Sequence, residues 1–426
     1  MRMRWAYVPP FSFTRSAIRS STVPNPCRLC HSPFPAVIAD FGHTPIAHRM
    51  LRQAGEPEEL FSFVLTECPA CGFVQVDVPI DPSALYGGFN FNFSSWKTEP
   101  HIETELAMIA RYCVLDRVVE VGCNDGRFLD LVREQGAKAV VGIEPNPVPC
   151  RHAADRGITV VNQMLTSDLA ASIAVEYGSA TLVISRQVME HVLDVHGFLR
   201  AINTMLAEGG FLFLDLPDSA PALGIGDCSF LWEEHVGYYT RDLLERLLSA
   251  HGFALKNLQT FDFSGGCIAL LAQKIGPSTC ESLPSHNETT AISGFAGRVE
   301  AYSESLHKLL IHAREKSIRV VLYGAGVRGC SVANFLKLAP LIDHVVDDQA
   351  ERKGLFMPGV RLKVESLDEI MKDPGRFLIL LAVNNENDAR VSEKIRKLAN
   401  DRALIMTICG PADIDSEIRK MNRMIT

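Results

Sequence analysis

The chain has 426 residues, of which 47% are hydrophobic and 22% charged, the profile of an ordinary globular protein with room for two or three domains. Its net charge of −8 argues against a general nucleic-acid binder, which needs a basic face, and no apolar run approaches the length of a membrane span. An anionic substrate must therefore be met by local cations.

Residues 1–26 carry Arg2, Arg4, Arg15, Arg19 and several serines but no acid. That composition suits a transit-like leader; a disordered tail outside the fold is the expectation adopted here. The twelve cysteines come without an apolar signal core, and four of them form paired CxxC motifs, so a reducing cytoplasm is the expected setting.

Those pairs, Cys27-Arg-Leu-Cys30 and Cys68-Pro-Ala-Cys71-Gly72, open the folded chain. Each has the form of a knuckle in which two thiolates reach one metal from a tight turn. Four sulfurs give tetrahedral Zn²⁺ no open position, so a structural zinc site is expected in a domain spanning residues 27–80. Phe34 to Val64 must form strands or a loop between the knuckles, and His31 and His43 read as surface histidines. Next, Tyr86-Gly-Gly-Phe-Asn-Phe-Asn-Phe-Ser-Ser-Trp96 reads as a loop able to lie over a pocket. A helical pattern from Pro100 leads onward.

Arg117 to Pro149 is the most informative stretch. A β-branched run, Val118 to Val121, turns at Gly122-Cys-Asn-Asp-Gly126, enters a helical pattern, and returns as Val140 to Ile143 with Glu144 at its tip. A glycine turn lets backbone approach a ligand, and a carboxylate at the next strand's end accepts ribose hydroxyls. Glycines spaced G-x-x-x-G rather than G-x-G-x-x-G favour S-adenosylmethionine over NAD. Glu120-Val-Gly-Cys-Asn-Asp-Gly126 resembles motif I of class I methyltransferases, and Glu144 resembles their ribose-binding acid. Glu120, Gly122, Asp125, Gly126 and Glu144 are thus the expected cofactor residues. Met164 is a candidate against adenine, with core packing as its other reading.

Strand patterns at Thr159–Val161, Leu182–Ser185 and Phe211–Leu216, then a hairpin around Gly265-Gly266, predict a doubly wound α/β sheet over residues 81–275. Ligands bind at the carboxyl ends of such strands. Two strand tips carry a Glu-His dipeptide, Glu190-His191 and Glu234-His235. An imidazole takes protons at neutral pH and a neighbouring carboxylate orients it, so the doubling points to proton abstraction.

Residues 276–296 read as a linker rich in Pro, Ser, Thr, Asn and Glu. Residues 297–426 read as a Rossmann-like domain, with Gly324-Ala-Gly-Val-Arg-Gly329 after a strand and Asp347-Asp348 about twenty residues on. NAD and the diphosphate of a nucleotide sugar both suit such a turn. Gly324, Gly326 and Arg328, with Lys353 and Arg361 as further cations, are candidate substrate contacts, and Asn384-Asn385 is a polar strand tip.

Taken together, the cysteine knuckles, motif I, the Glu190-His191 tip and the Glu-His-x-x-Tyr-Tyr loop resemble the three-domain sugar C-methyltransferases of deoxysugar pathways. The resemblance covers nearly everything after residue 26. It implies a nucleotide-linked (dTDP-type) 4-keto-6-deoxy sugar as substrate, methylated on carbon through an enolate, with His235 as the base, Glu234 beside it, and His191 nearby. It also implies sugar contacts at Trp232 and Tyr238. The family has tyrosine where this chain has Trp232, and a Tyr-x-x-Ser-type patch where this chain has Phe91, Phe93, Ser94 and Ser95. An O- or N-methyltransferase on another small metabolite is the alternative; nucleic acid and membrane are not expected partners.

Overall fold

The structure is a computed structural model that describes residues 24–86, 99–285, 292, 294–410 and 414–425. The loop expected over the pocket, with Phe91, Phe93, Ser94 and Ser95, and nearly all of the expected tail lie outside the described residues. No helix among the described residues is long and apolar enough to cross a membrane.

Between the knuckles the chain does form strands. β1 (Ala36–Pro45), β2 (Leu60–Glu67) and β3 (Val74–Val76) make an antiparallel meander. Alternate residues of β1 and β2 (Ala39, Phe41, Phe63, Leu65) are buried, the period-2 pattern of a sheet with one covered face.

Next come β4 (Arg117–Val121), β5 (Ala139–Ile143), β6 (Thr159–Val161), β7 (Ala180–Arg186) and β8 (Leu206–Pro217). They pair in parallel, and helices such as Arg127–Glu134 and Val195–Met205 cover the faces. A two-residue strand, β9 (Gly237–Tyr238), leaves this sheet and pairs with β3 of the knuckle domain. β10 (Phe253–Phe261) and β11 (Cys267–Lys274) return as the expected hairpin, β11 running antiparallel to β8. The strand order is β6-β5-β4-β7-β8-β11-β10. This is the class I methyltransferase sheet, whose order reverses at β4, so a crevice opens at the carboxyl ends of β4 and β7.

The helix Phe295–Glu315 begins two residues before the expected boundary and leads to a parallel sheet. Its strands are β12 (Arg319–Tyr323), β13 (His344–Val346), β14 (Val364–Glu365), β15 (Phe377–Leu381) and β16 (Ala403–Thr407), in the order β14-β13-β12-β15-β16. One apolar core runs through the knuckle sheet and this domain: Phe41 and Phe63 of β1 and β2 pack on Phe335, with ring centroids 4.2 and 5.0 Å apart.

Candidate active site and metal centre

In each knuckle a tight turn folds back on its first cysteine: His31 N–H donates to Cys27 O and Gly72 N–H to Cys68 O. His31 and Gly72 take the left-handed φ values such a turn needs, 56° and 79°. The turns bring the four sulfurs of Cys27, Cys30, Cys68 and Cys71 within 4.8 Å of one another, with Cys27–Cys71 at 3.6 Å and Cys30–Cys68 at 3.3 Å. A tetrahedral ion at the usual Zn–S length separates its sulfurs by about 3.8 Å, so the set fits Zn²⁺. Contact with Cys68, and burial after it, push the Cys27 thiol up to about 12. A divalent cation is the charge that lets such clustered thiols ionise together. His31 and His43 are exposed, as expected of surface histidines.

The cofactor cradle is built by the turn after β4. Gly122 (φ 74°) and Asn124 (φ 50°) bend the backbone sharply, and a Cβ at Gly122 would lie 2.3 Å from Val188. Glu144 is buried at the tip of β5 and accepts from the N–H groups of Asn124 and Asn146 at 3.0 and 2.8 Å. Each oxygen keeps a further lone pair for a ribose hydroxyl. Glu120 is buried, its Oε2 meets no partner among the described residues, and burial pushes its carboxyl up to about 8. An acid so placed suits a cationic ligand group such as an amino acid's ammonium. Asp125 turns elsewhere: it accepts from Arg127 N–H at 3.2 Å and faces Arg156 at 3.6 Å, so it shapes the turn. Gly126 is held by Ile158 and Ala153, which a Cβ would strike. Met164 is 62% exposed, which removes core packing as its role.

The histidines do converge. His191 follows β7, His235 precedes β9, and their rings stand edge to face with centroids 4.9 Å apart. Trp232 lies on the His235 ring at 3.8 Å between centroids, and its indole N–H is buried without a partner among the described residues. Tyr238 is buried within β9, 6.5 Å from the His235 ring between centroids.

Glu234 needs a correction. Its carboxylate does not orient His235 but receives His48 Nδ1 at 2.8 Å and faces His191 at 3.9 Å. Burial, the largest single influence, raises this acid, but the His48 hydrogen bond and the charges of His48 and His191 together hold it below the usual carboxylate range. The acid between the imidazoles is Glu190, whose Oε1 lies 3.9 Å from Nε2 of both His191 and His235. The other His191 nitrogen, Nδ1, lies 3.0 Å from Glu234 O. Sequence reasoning noticed the Glu-His doubling but paired each acid with its chain neighbour. Glu234 and His235 diverge, whereas Glu190 faces its neighbour His191 and, across the loops, His235 as well. Nothing in the spacing announced His48, which arrives from the knuckle domain.

The glycine turn of the last domain is not the open phosphate cradle that its spacing suggests. Cβ atoms at Gly324 and Gly329 would strike Ala382 O and Gly324 O, at 2.5 and 2.0 Å, so the turn needs these glycines for its own closure. Asp347 accepts from Ala325 N–H at 2.8 Å and pairs with Arg352, which overhangs Gly326. Arg328 is 5% exposed and binds Ser229 Oγ at 3.3 Å and Ser264 O of the methyltransferase sheet. Burial between two domains makes it a clamp rather than a cation awaiting phosphate. Arg361 likewise donates to Ala54 O and Glu56 O and pairs with Glu58 in the knuckle domain.

Three family models match in succession: "Putative zinc binding domain" over residues 27–86, "Methyltransferase domain" over 93–258 and "C-methyltransferase C-terminal domain" over 280–408. The C-methyltransferase NovU of Streptomyces niveus is 26% identical over 412 residues, 92% of this chain and 97% of its own. A ubiquinone biosynthesis O-methyltransferase from Methylocella silvestris is 32% identical over 101 residues, 23% of this chain and 38% of its own. A solved SAM-dependent methyltransferase from Archaeoglobus fulgidus is 15% identical, with a TM-score of 0.35 over 41% of this chain and 94% of that one. Matched in order by all three models and over 92% of its length by one relative, the chain is an S-adenosylmethionine-dependent methyltransferase with a zinc-binding domain before its core, similar in its three parts to the C-methyltransferases.

Proposed function

We propose that the enzyme methylates the carbon beside the ketone of a nucleotide-linked (dTDP-type) 4-keto-6-deoxy sugar, through an enolate. The observation that supports it is the pair of facing imidazoles with Glu190 3.9 Å from both, beside the cradle at the carboxyl ends of β4 and β7. Oxygen or nitrogen acceptors need at most one base; a carbon acid needs a base and a partner for the enolate oxygen.

S-adenosylmethionine supplies, when bound, an electrophilic methyl group on a sulfonium. Glu144, with lone pairs left on a carboxylate already fixed by two N–H groups, holds the ribose. Glu120 receives the ammonium. His235 removes the proton from the carbon beside the ketone, and Glu190 offsets the positive charge its ring acquires. Both nitrogens of His191 face acceptors, Glu234 O and the Glu190 carboxylate, so this ring is suited to carry positive charge beside the developing oxyanion. Trp232 packs against the His235 ring at a tilt of 39° and offers its N–H to the sugar. Aligning donor and acceptor removes on the order of 7–11 kcal/mol of barrier in well-oriented cases.

The test uses a dTDP-4-keto-6-deoxy sugar in deuterated solvent. The proton beside the ketone should exchange with solvent in an enzyme-dependent way, and isotope-labelled methyl should appear on that carbon. Methyl transfer to oxygen or nitrogen with no exchange would replace this reading with the alternative.

A further inference from the structure

Against the carbonyl of Leu29, inside the first knuckle, two buried histidines and a thiol meet. His196 lies in the helix Val195–Met205, His251 caps the helix Arg241–Ala250, and Cys280 comes from the segment before the last domain. The two rings are 4% and 0% exposed. One nitrogen of each and the Cys280 sulfur lie within 4.8 Å of one another, with His196 Nδ1 and His251 Nε2 at 2.8 Å.

We propose that His196, His251 and Cys280 form a second metal site that takes a borderline-soft divalent cation, Zn²⁺, and fastens this segment to the knuckle. Two features support it besides the cluster. The outward nitrogens are already anchored: His196 Nε2 donates to Leu29 O at 2.8 Å, and His251 Nδ1 meets Ser278 Oγ at 2.6 Å. That is how metal-ligating imidazoles are oriented, with the ligand nitrogen turned inward and the other held by a carbonyl or hydroxyl. Without an ion, a chain of hydrogen bonds runs from Ser278 through both rings to Leu29, and the Cys280 thiol donates to Ser282 O at 3.4 Å; a cation would replace the ring-to-ring bond and the thiol's proton. Finally, His196 lines a surface cleft of about 440 Å³ with Arg28, His31, Asp194 and Arg200, which gives a cation an entry path.

The chemistry agrees with the placement. Two nitrogens and one sulfur suit Zn²⁺. Leu29 stands between Cys27 and Cys30, and its carbonyl also accepts Leu283 N–H at 2.7 Å. The two metals would therefore both bear on this one knuckle.

The experiment counts metal in the full chain, purified reduced and loaded with Zn²⁺. Two equivalents are expected in the native protein and one in Cys280→Ser, a substitution at a partly exposed position that leaves the fold intact. Cadmium in place of zinc should give two NMR resonances, an all-sulfur one that persists in Cys280→Ser and a more shielded one that disappears. His251→Gln should repeat the loss. One equivalent in the native protein, or a second equivalent and resonance that survive both substitutions, would overturn the proposal.

Discussion

At the level of single side chains the site separates into groups that touch the reacting atoms and groups that hold them. His235 belongs to the first kind. Replacing it with alanine should cut kcat by roughly 10²–10⁴-fold, the usual worth of a general base, while binding of S-adenosylmethionine is unchanged by calorimetry. Solvent exchange of the sugar proton should vanish with it. Glu120 makes a prediction with a definite sign. In the empty cradle burial pushes it to about 8, so it holds a proton at pH 7; a bound ammonium favours the carboxylate. Cofactor binding should therefore release protons between pH 6 and 8, read as a binding enthalpy that varies with the buffer's ionisation enthalpy, and Glu120→Gln should abolish that dependence. The histidines were legible in the sequence because Glu-His occurs at two strand tips. Glu190's partnership with both rings was not, because it depends on how two loops 40-odd positions apart fold against each other.

At the level of elements, the knuckle domain positions the catalytic loop. Gly237–Tyr238 extends the knuckle's own sheet, Val76 N–H donates to Val236 O at 3.0 Å, and Ala47 N–H donates to Glu233 Oε1 at 2.7 Å. Arg28, inside the first CxxC, spans Val76 O and Val236 O. Stripping the four-cysteine zinc should thus lower turnover far more than cofactor affinity, because the cradle lies in another sheet; equal loss of both would contradict this. His48→Ala leaves the Glu234 carboxylate buried without its partner, at about 3–5 kcal/mol of stability. In the native protein Glu234 is held below its usual range, so its contribution is present above the ordinary carboxylate value and lost as pH falls. The denaturation midpoints of native protein and variant should accordingly converge in acid. The periodicity of β1 and β2 and the knuckles themselves were readable from local pattern. β9 was not, since two residues carry no period.

Across the whole molecule, the three parts share polar contacts. Arg328 of the last domain reaches Ser229 and Ser264, Glu386 Oε2 receives Ser264 N–H at 3.2 Å, and Arg361 ties the same domain to Glu58. Arg328→Ala should cost about 1.5–3 kcal/mol, the range for hydrogen bonds to a charged group, and expose the last domain to earlier proteolysis. With Asp347 spent on Ala325 N–H and Arg352, NADH should show no saturable fluorescence change with the native chain.

Local chemistry was sufficient for the doubly wound sheet, the motif I turn, the Glu144 tip and the four thiolates, because each depends on residues within one strand-turn-helix or one tight turn. The fate of Glu234, Arg328 and His48 depended on the fold, as did the stitching of the catalytic loop to the knuckle. A buried charge is stable only where a partner meets it, and here those partners come from other domains, so chain spacing carries no trace of the pairing.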